Sequence, residues 1–266
     1  MSTPQSWQIL SGEEGESDLV LAVDFFAPGR PEASFVDLAS HLSPSQPVWL
    51  ASQPAGLPYP LGPDDYVEWW MRDIRESGRT VKAVSGFCAG SVFAGELYRR
   101  ICDEQETKPR LIVFDPEAMH PFGIYMQYHK QVDRYAGLLS PERIAAAQRD
   151  GQALLQKQSQ PVALGQELMA LHRKVALEVF RESGIDEEYG DEVLELFGSL
   201  ITYMVAAAQV DTAKSWAEAT VLTSSTPGSG AEQAETVLAF DVDRYELLRD
   251  RGAAAAVSEL LAKRPG

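Results

Sequence analysis

Between Val81 and Cys102 the chain changes its hydrophobic period within a few residues, and this change constrains the fold most. Val81–Ser85 (VKAVS) has strand character, Ser91–Cys102 has helical spacing, and Gly86-Phe87-Cys88-Ala89-Gly90 joins them. A strand turning this sharply into a helix puts the two backbones close together. Glycines two residues before and two after Cys88 remove the side chains that would clash there. The turn also aims the free N–H groups and positive dipole end of the helix at the thiol. Such a field favours a thiolate and stabilises a developing oxyanion, with the Ala89 N–H as first donor. A bare G-x-C-x-G equally describes a buried cysteine in an ordinary turn; the strand before it and the helix after it mark a nucleophile elbow. Arg99 and Arg100 are expected in the last turn of the helix, where cations suit the dipole.

Three more short apolar runs, Leu19–Phe25, Val48–Ala51 and Leu111–Phe114, read as buried parallel strands. Asp64–Ser77 is helical, with Val67, Trp70, Met71 and Ile74 on one face, aspartates at its start and Gly78 at its end. Tyr66, Trp69 and Trp70 read as packing aromatics. From about Met119 to Asp211 strand signals vanish, and Leu164, Leu168, Leu171, Val175 and Val179 keep helical spacing. Strands return at Ala219–Thr223 and Thr236–Phe240 around the loop SSTPGSGAEQ, and a helix over Ala253–Lys263 follows. Alternating strands and helices predict an α/β fold, a mostly parallel sheet with helices on both faces. The all-helical stretch, about 119–211, is expected to be an inserted lid on a single domain spanning 1–266.

Composition excludes several function classes. The formal charge is −16, which disfavours nucleic acid and anionic membranes as partners. Two cysteines, with thirteen residues between them, make neither a disulfide framework nor a metal knuckle, and a reducing, cytoplasmic setting is expected. The polar, acidic start of the chain has neither signal-peptide nor transit-peptide character. The sequence contains no P-loop, dinucleotide fingerprint or metal-ligand cluster, so no cofactor or metal is expected.

The elbow and its helix, VSGFCAGSVFAGELYRRI, resemble those of the thioesterase family of the α/β-hydrolases, which releases acyl chains from polyketide and non-ribosomal peptide carrier proteins. VDFFAPGRPEASFVDLASHL is similar to the family's first strand and oxyanion loop, and VWLASQPAG to its next strand. The likeness covers nearly the whole chain, the lid by position and helicity alone. It implies an α/β-hydrolase fold and a small-molecule acyl substrate held as a thioester on phosphopantetheine, with an acyl or peptidyl carrier protein as partner. It also implies Cys88 as nucleophile, where many members carry serine. Asp115, at the end of LIVFD, takes the place of the acid, with Glu117 as fallback. The second oxyanion donor falls in the loop after the first strand, at Ala27 or Phe26, since Pro28 has no N–H.

The base departs from the pattern. The histidines are His41, His120, His129 and His172, and none follows residue 172. Arg244 stands where the family places its catalytic histidine, in FDVDRYELL, and a guanidinium cannot serve as general base. Three readings stay open. Arg244 and the helix N-terminus hold Cys88 as a thiolate, and the acyl group passes to an amine or thiol rather than to water. Alternatively a lid histidine substitutes, His120 before His129, with His41 and His172 on helix surfaces. Finally, the chain is a pseudo-thioesterase that binds an acyl chain or carrier protein, with Asp115 and Arg244 ion-paired.

Overall fold

The computed structural model describes residues 4–12, 18–25, 30–54 and 59–263. In chain order the first half contains β1 (Trp7–Ser11), β2 (Asp18–Val23), α1 (Phe35–His41), β3 (Val48–Ala51), α2 (Pro63–Ser77), β4 (Thr80–Phe87), α3 (Gly90–Glu104) and β5 (Arg110–Phe114). Then follow α4 (Pro121–Asp133), α5 (Pro141–Lys157), α6 (Pro161–Ser183), α7 (Glu187–Ala207), α8 (Ala213–Ala217), β6 (Thr220–Thr223), β7 (Thr236–Ala239) and α9 (Arg251–Ala262), with 3-10 segments at Ser229–Gln233 and Arg244–Arg249. The chain divides into two compact units. One comprises Met1–Leu57, Pro63–Ala118 and Val210–Gly266, the other Pro58–Gly62 and Met119–Gln209.

The first unit is built on a seven-stranded sheet in the order β1-β3-β2-β4-β5-β6-β7. β1 runs antiparallel to β3, and the other neighbours are parallel. The central strands are apolar on both faces because both are covered. Val20, Ala22, Ile112 and Phe114 pack with Phe35 and Leu38 of α1 and Val257 and Leu261 of α9. On α2 and α3, Tyr66 and Trp70 meet Phe93 at ring separations of 5.1 and 5.6 Å. β4 lies between β2 and β5, with Gly86 level with Val23 and Phe87 level with Phe114, so its end opens at the middle of the sheet's crown.

β1 was not expected. It is an edge strand with only weak alternation in exposure, and its local pattern is poor. Tertiary contacts hold it: the Trp7 indole donates to the Trp70 carbonyl at 3.1 Å, and Ser6 donates through N and Oγ to Asp73 Oδ2 at 2.7 Å. Arg99 and Arg100 are not in the last turn of α3, because the helix runs on to Glu104. They pair with acidic neighbours instead, Arg99 with Glu96 and Arg100 with Glu68.

The second unit is helical. The α6 stripe is continuous: Leu164, Leu168, His172, Ala176 and Val179 are all buried, at spacings of three and four. His172 is therefore a core residue, not a surface one. It lies 4.0 Å from the Phe197 ring of α7 and shares a 2.8 Å hydrogen bond through Nε2 with the Tyr135 hydroxyl. Burial lowers its pKa from 6.5 to about 4, so the imidazole is neutral in the folded state.

An unfolded chain takes up this proton near pH 6.5, whereas the folded one resists until about pH 4. The stability contribution is thus fully present above pH 6.5 and lost as pH falls, by about 3 kcal/mol at most. In denaturant titrations at pH 7 and pH 4, His172→Gln is expected to lose less stability on acidification than the native protein, by up to that amount. Identical pH dependence in the two would refute the assignment.

Candidate active site

Cys88 directly follows β4 and has φ 52°, in the left-handed region that a side chain disfavours. Two close approaches force this turn. A Cβ on Gly90 would lie 2.2 Å from the Val23 carbonyl oxygen, and one on Gly86 would lie 2.6 Å from the Ser91 Cα. Glycine alone allows α3 to start this close to β2 and β4. Hydrogen bonds fix the turn: Cys88 N–H donates to the Phe114 carbonyl at 3.0 Å, and its own carbonyl accepts from Ser91 N at 3.1 Å and Glu117 N at 3.2 Å. From behind, the Trp216 indole donates to the Ser91 carbonyl at 3.0 Å.

Asp115 repeats the same move one strand over, directly after β5, with φ 39°. Its N–H bonds the Leu222 carbonyl at 3.0 Å, and its Oδ1 accepts from Ser224 N at 3.0 Å. The carboxylate is fully buried, and its Oδ2 has no hydrogen-bond partner among the described residues. Burial raises the Asp115 pKa; the Ser224 hydrogen bonds and the Arg244 charge oppose this. The loop SSTPGSG, which offers no acid of its own, wraps this residue. A Cβ on Gly228 would lie 2.6 Å from the Asp115 carbonyl oxygen.

Arg244 opens the 3-10 segment Arg244–Arg249, and its charge acts on Cys88, Asp115 and Glu117. The expected ion pair with Asp115 is not formed. Arg244 Nη1 instead stands 3.7 Å from Glu117 Oε2, and the guanidinium lies 5.9 Å from the centre of the Phe87 ring. A guanidinium reaches further than an imidazole and carries its charge past Asp115 to a half-buried carboxylate that is easier to pair. Arg30 is also near the Phe87 ring, 5.8 Å from its centre. Arg30 forms an ion pair with buried Asp24 and donates to the Phe25 and Ala33 carbonyls at 3.1 Å. Neither Asp24 nor Arg30 stood out in the sequence; a buried residue after a strand end, answered by an opposite charge six positions on, was the available signal.

Cys88 is a partly buried residue that packs against the core cluster containing Phe87 and Phe114. Burial pushes its pKa above the ordinary 9.0, while the Arg244 charge and the Ala89 N–H pull it down and Asp24 and Glu117 push it up. The resting group is therefore a thiol, not the thiolate expected from the helix N-terminus and Arg244. The Ala89 N–H, at the cap of α3, has no backbone acceptor among the described residues. Ala27 and Phe26 lie outside those residues. His120 caps α4, its Nδ1 accepting from Gly123 N at 3.1 Å, with the ring exposed. His129 is 3.2 Å from the Tyr125 hydroxyl and 3.7 Å from Asp133. Both histidines have local roles in the helical unit. Among the described residues no cluster of potential metal ligands occurs, and no helix is long and apolar enough to cross a membrane.

A mostly parallel sheet, a thiol in a strained strand-to-helix turn and a buried acid after the next strand define the α/β-hydrolase fold, and this chain has it. The enol-lactonase from Burkholderia xenovorans LB400 superposes with a TM-score of 0.56 at 12% identity, over 97% of this chain and 96% of that one. The Vlm2 thioesterase domain, solved with a bound dodecadepsipeptide, gives 0.52 at 15% identity over 99% of each chain. The four-domain nonribosomal peptide synthetase AB3403 gives 0.55 at 13% identity over 96% of this chain and 20% of that one. No family model and no curated protein matches the sequence.

In a Cys102→Ser background, alkylation of Cys88 by iodoacetamide is expected to half-titrate above pH 9. Arg244→Ala should slow it at pH 8 by a factor on the order of three to ten, because a stabilising charge is lost. An unchanged rate would mean that Arg244 does not act on the sulfur.

Proposed function

We propose that the protein is a thioesterase-like enzyme that takes an acyl group from a carrier-bound thioester onto Cys88 and passes it to an acceptor. The observation that carries this is the strained turn at Cys88, at the head of α3, where the Ala89 N–H and the Arg244 charge both act on the sulfur. The Cys88 sulfur attacks the thioester carbonyl, the Ala89 N–H stabilises the oxyanion, and the thiol proton leaves with the departing thiolate. Asp115 holds the acid position behind Arg244, and the second oxyanion donor is assigned to Ala27. No cofactor is required beyond the phosphopantetheine arm that carries the substrate. With Arg244 where an imidazole would stand, water is poorly activated, so transfer is favoured over hydrolysis. A carrier-protein setting and a natural-product pathway are supported by the resemblance at the elbow and by the fold shared with the Vlm2 thioesterase domain.

A second reading, a pseudo-thioesterase that binds without turnover, is favoured by the raised thiol pKa and the unpaired Asp115 Oδ2. Here His120 has no part, since its Nδ1 is committed to capping α4.

Incubation with acyl thioesters of a phosphopantetheine mimic is expected to add one acyl mass to the protein and none to Cys88→Ala, read by intact-mass spectrometry. No adduct on the native chain would leave only the binding role. Arg244→His puts an imidazole between Cys88 and the free Asp115 oxygen, and should raise thioester hydrolysis by about 100-fold. Unchanged hydrolysis in a folded variant would mean that Asp115 is not poised to orient a base.

A further inference from the structure

Three carboxylates surround the thiol and its arginine, and they are not equivalent. Asp24 is buried and held by Arg30. Asp115 is fully buried, with one oxygen committed to Ser224 N. Glu117 keeps 28% of its side chain exposed. Its backbone N–H is bonded to the Cys88 carbonyl, so it is tied to the turn that bears the sulfur. Its Oε1 accepts from Ser229 Oγ at 3.1 Å, which fixes the carboxylate's direction, and its Oε2 stands 3.7 Å from Arg244, too far for a tight fork. Of the three carboxylates it is the one open to solvent, and its charge acts on the Cys88 sulfur.

We infer that Glu117 is the proton acceptor for the second half-reaction, taking the role that the missing histidine leaves open. This deepens the acyl-Cys88 reading and rests on it. An amine nitrogen bonds to the acyl carbon while the carbon–sulfur bond breaks. The nitrogen's proton goes to Glu117, the Cys88 sulfur leaves as a thiolate beside the Arg244 cation, and the proton then passes from Glu117 to the sulfur. The pair Glu117–Arg244 divides between two side chains what one imidazole does in turn: it removes the proton from the incoming group and balances charge on the leaving one. The acceptor class that suits this is a primary amine, which needs help only in losing its proton after attack.

The test separates the two half-reactions in a Cys102→Ser background. Cys88 is loaded with p-nitrophenyl acetate, excess reagent is removed, and loss of the acetyl mass is followed in water and with propylamine. Glu117→Gln is expected to load within about threefold of the native rate but to release to propylamine about 100-fold more slowly. It should slow release in an Arg244→Met background as well, because a base does not act through Arg244. Release at the native rate, or an effect of Glu117→Gln that vanishes when Arg244 is replaced, would overturn the assignment while leaving the acyl-Cys88 intermediate standing. Failure of the native chain to load at Cys88 would remove both.

Discussion

The start of α3 rests directly on the backbone of β2, and the rest of the site depends on that contact. Where a Gly90 Cβ would be, the Val23 carbonyl leaves only 2.2 Å. The helix begins against the sheet, the chain has a few residues in which to turn, and Cys88 absorbs the turn at φ 52°. A non-glycine residue there costs on the order of 1–3 kcal/mol and persists only where its surroundings over-determine it. They do: bonds to Phe114, Ser91 and Glu117 fix the Cys88 peptide groups, and Trp216 pins the next residue from behind. The strain is the means by which a side chain at a strand end comes to point at the crown and not into a sheet face.

The same constraint arranges the charges. β2, β4 and β5 end side by side, so the residues just beyond them, Asp24, Cys88 and Asp115, share one crown. Two arginines lie near the Phe87 ring, each matched to a carboxylate, Arg30 to Asp24 and Arg244 to Glu117. These charges act on the thiol in opposite directions, and burial, the largest effect, decides its state.

Local pattern made much of this legible. VWLA is a strand at the residues expected, and LIVF and ATVLT are strands to within a residue, because buried parallel strands are unbroken apolar runs. TVLAF is a strand too, although at the sheet edge it is largely exposed. The elbow was readable because its glycines have a steric cause that sequence spacing preserves. β1 was not, since an edge strand is held by partners far away in sequence. His172 was misjudged although it falls on the stripe from Leu164 to Val179, because a polar residue type outweighed its position. Charge pairing was the least legible. Asp115 directly follows β5 and Arg244 opens a 3-10 segment after β7, but the pairing of Arg244 with Glu117 and not Asp115 depends on side-chain reach, which spacing does not encode.

Asp115 Oδ2 is the clearest sign that this crown is not arranged for stability. A buried acceptor with no donor costs roughly 1–3 kcal/mol, and nearly all such groups in folded proteins find a partner. Here a cation is close enough to act on Asp115 electrostatically and still turns to Glu117. Replacing the aspartate by an apolar residue would remove the cost. Two residues with positive φ at the ends of adjacent strands, and a buried carboxylate oxygen, thus lie near one thiol. Backbone strain of this kind persists only where the surroundings over-determine it, and it concentrates at functional sites.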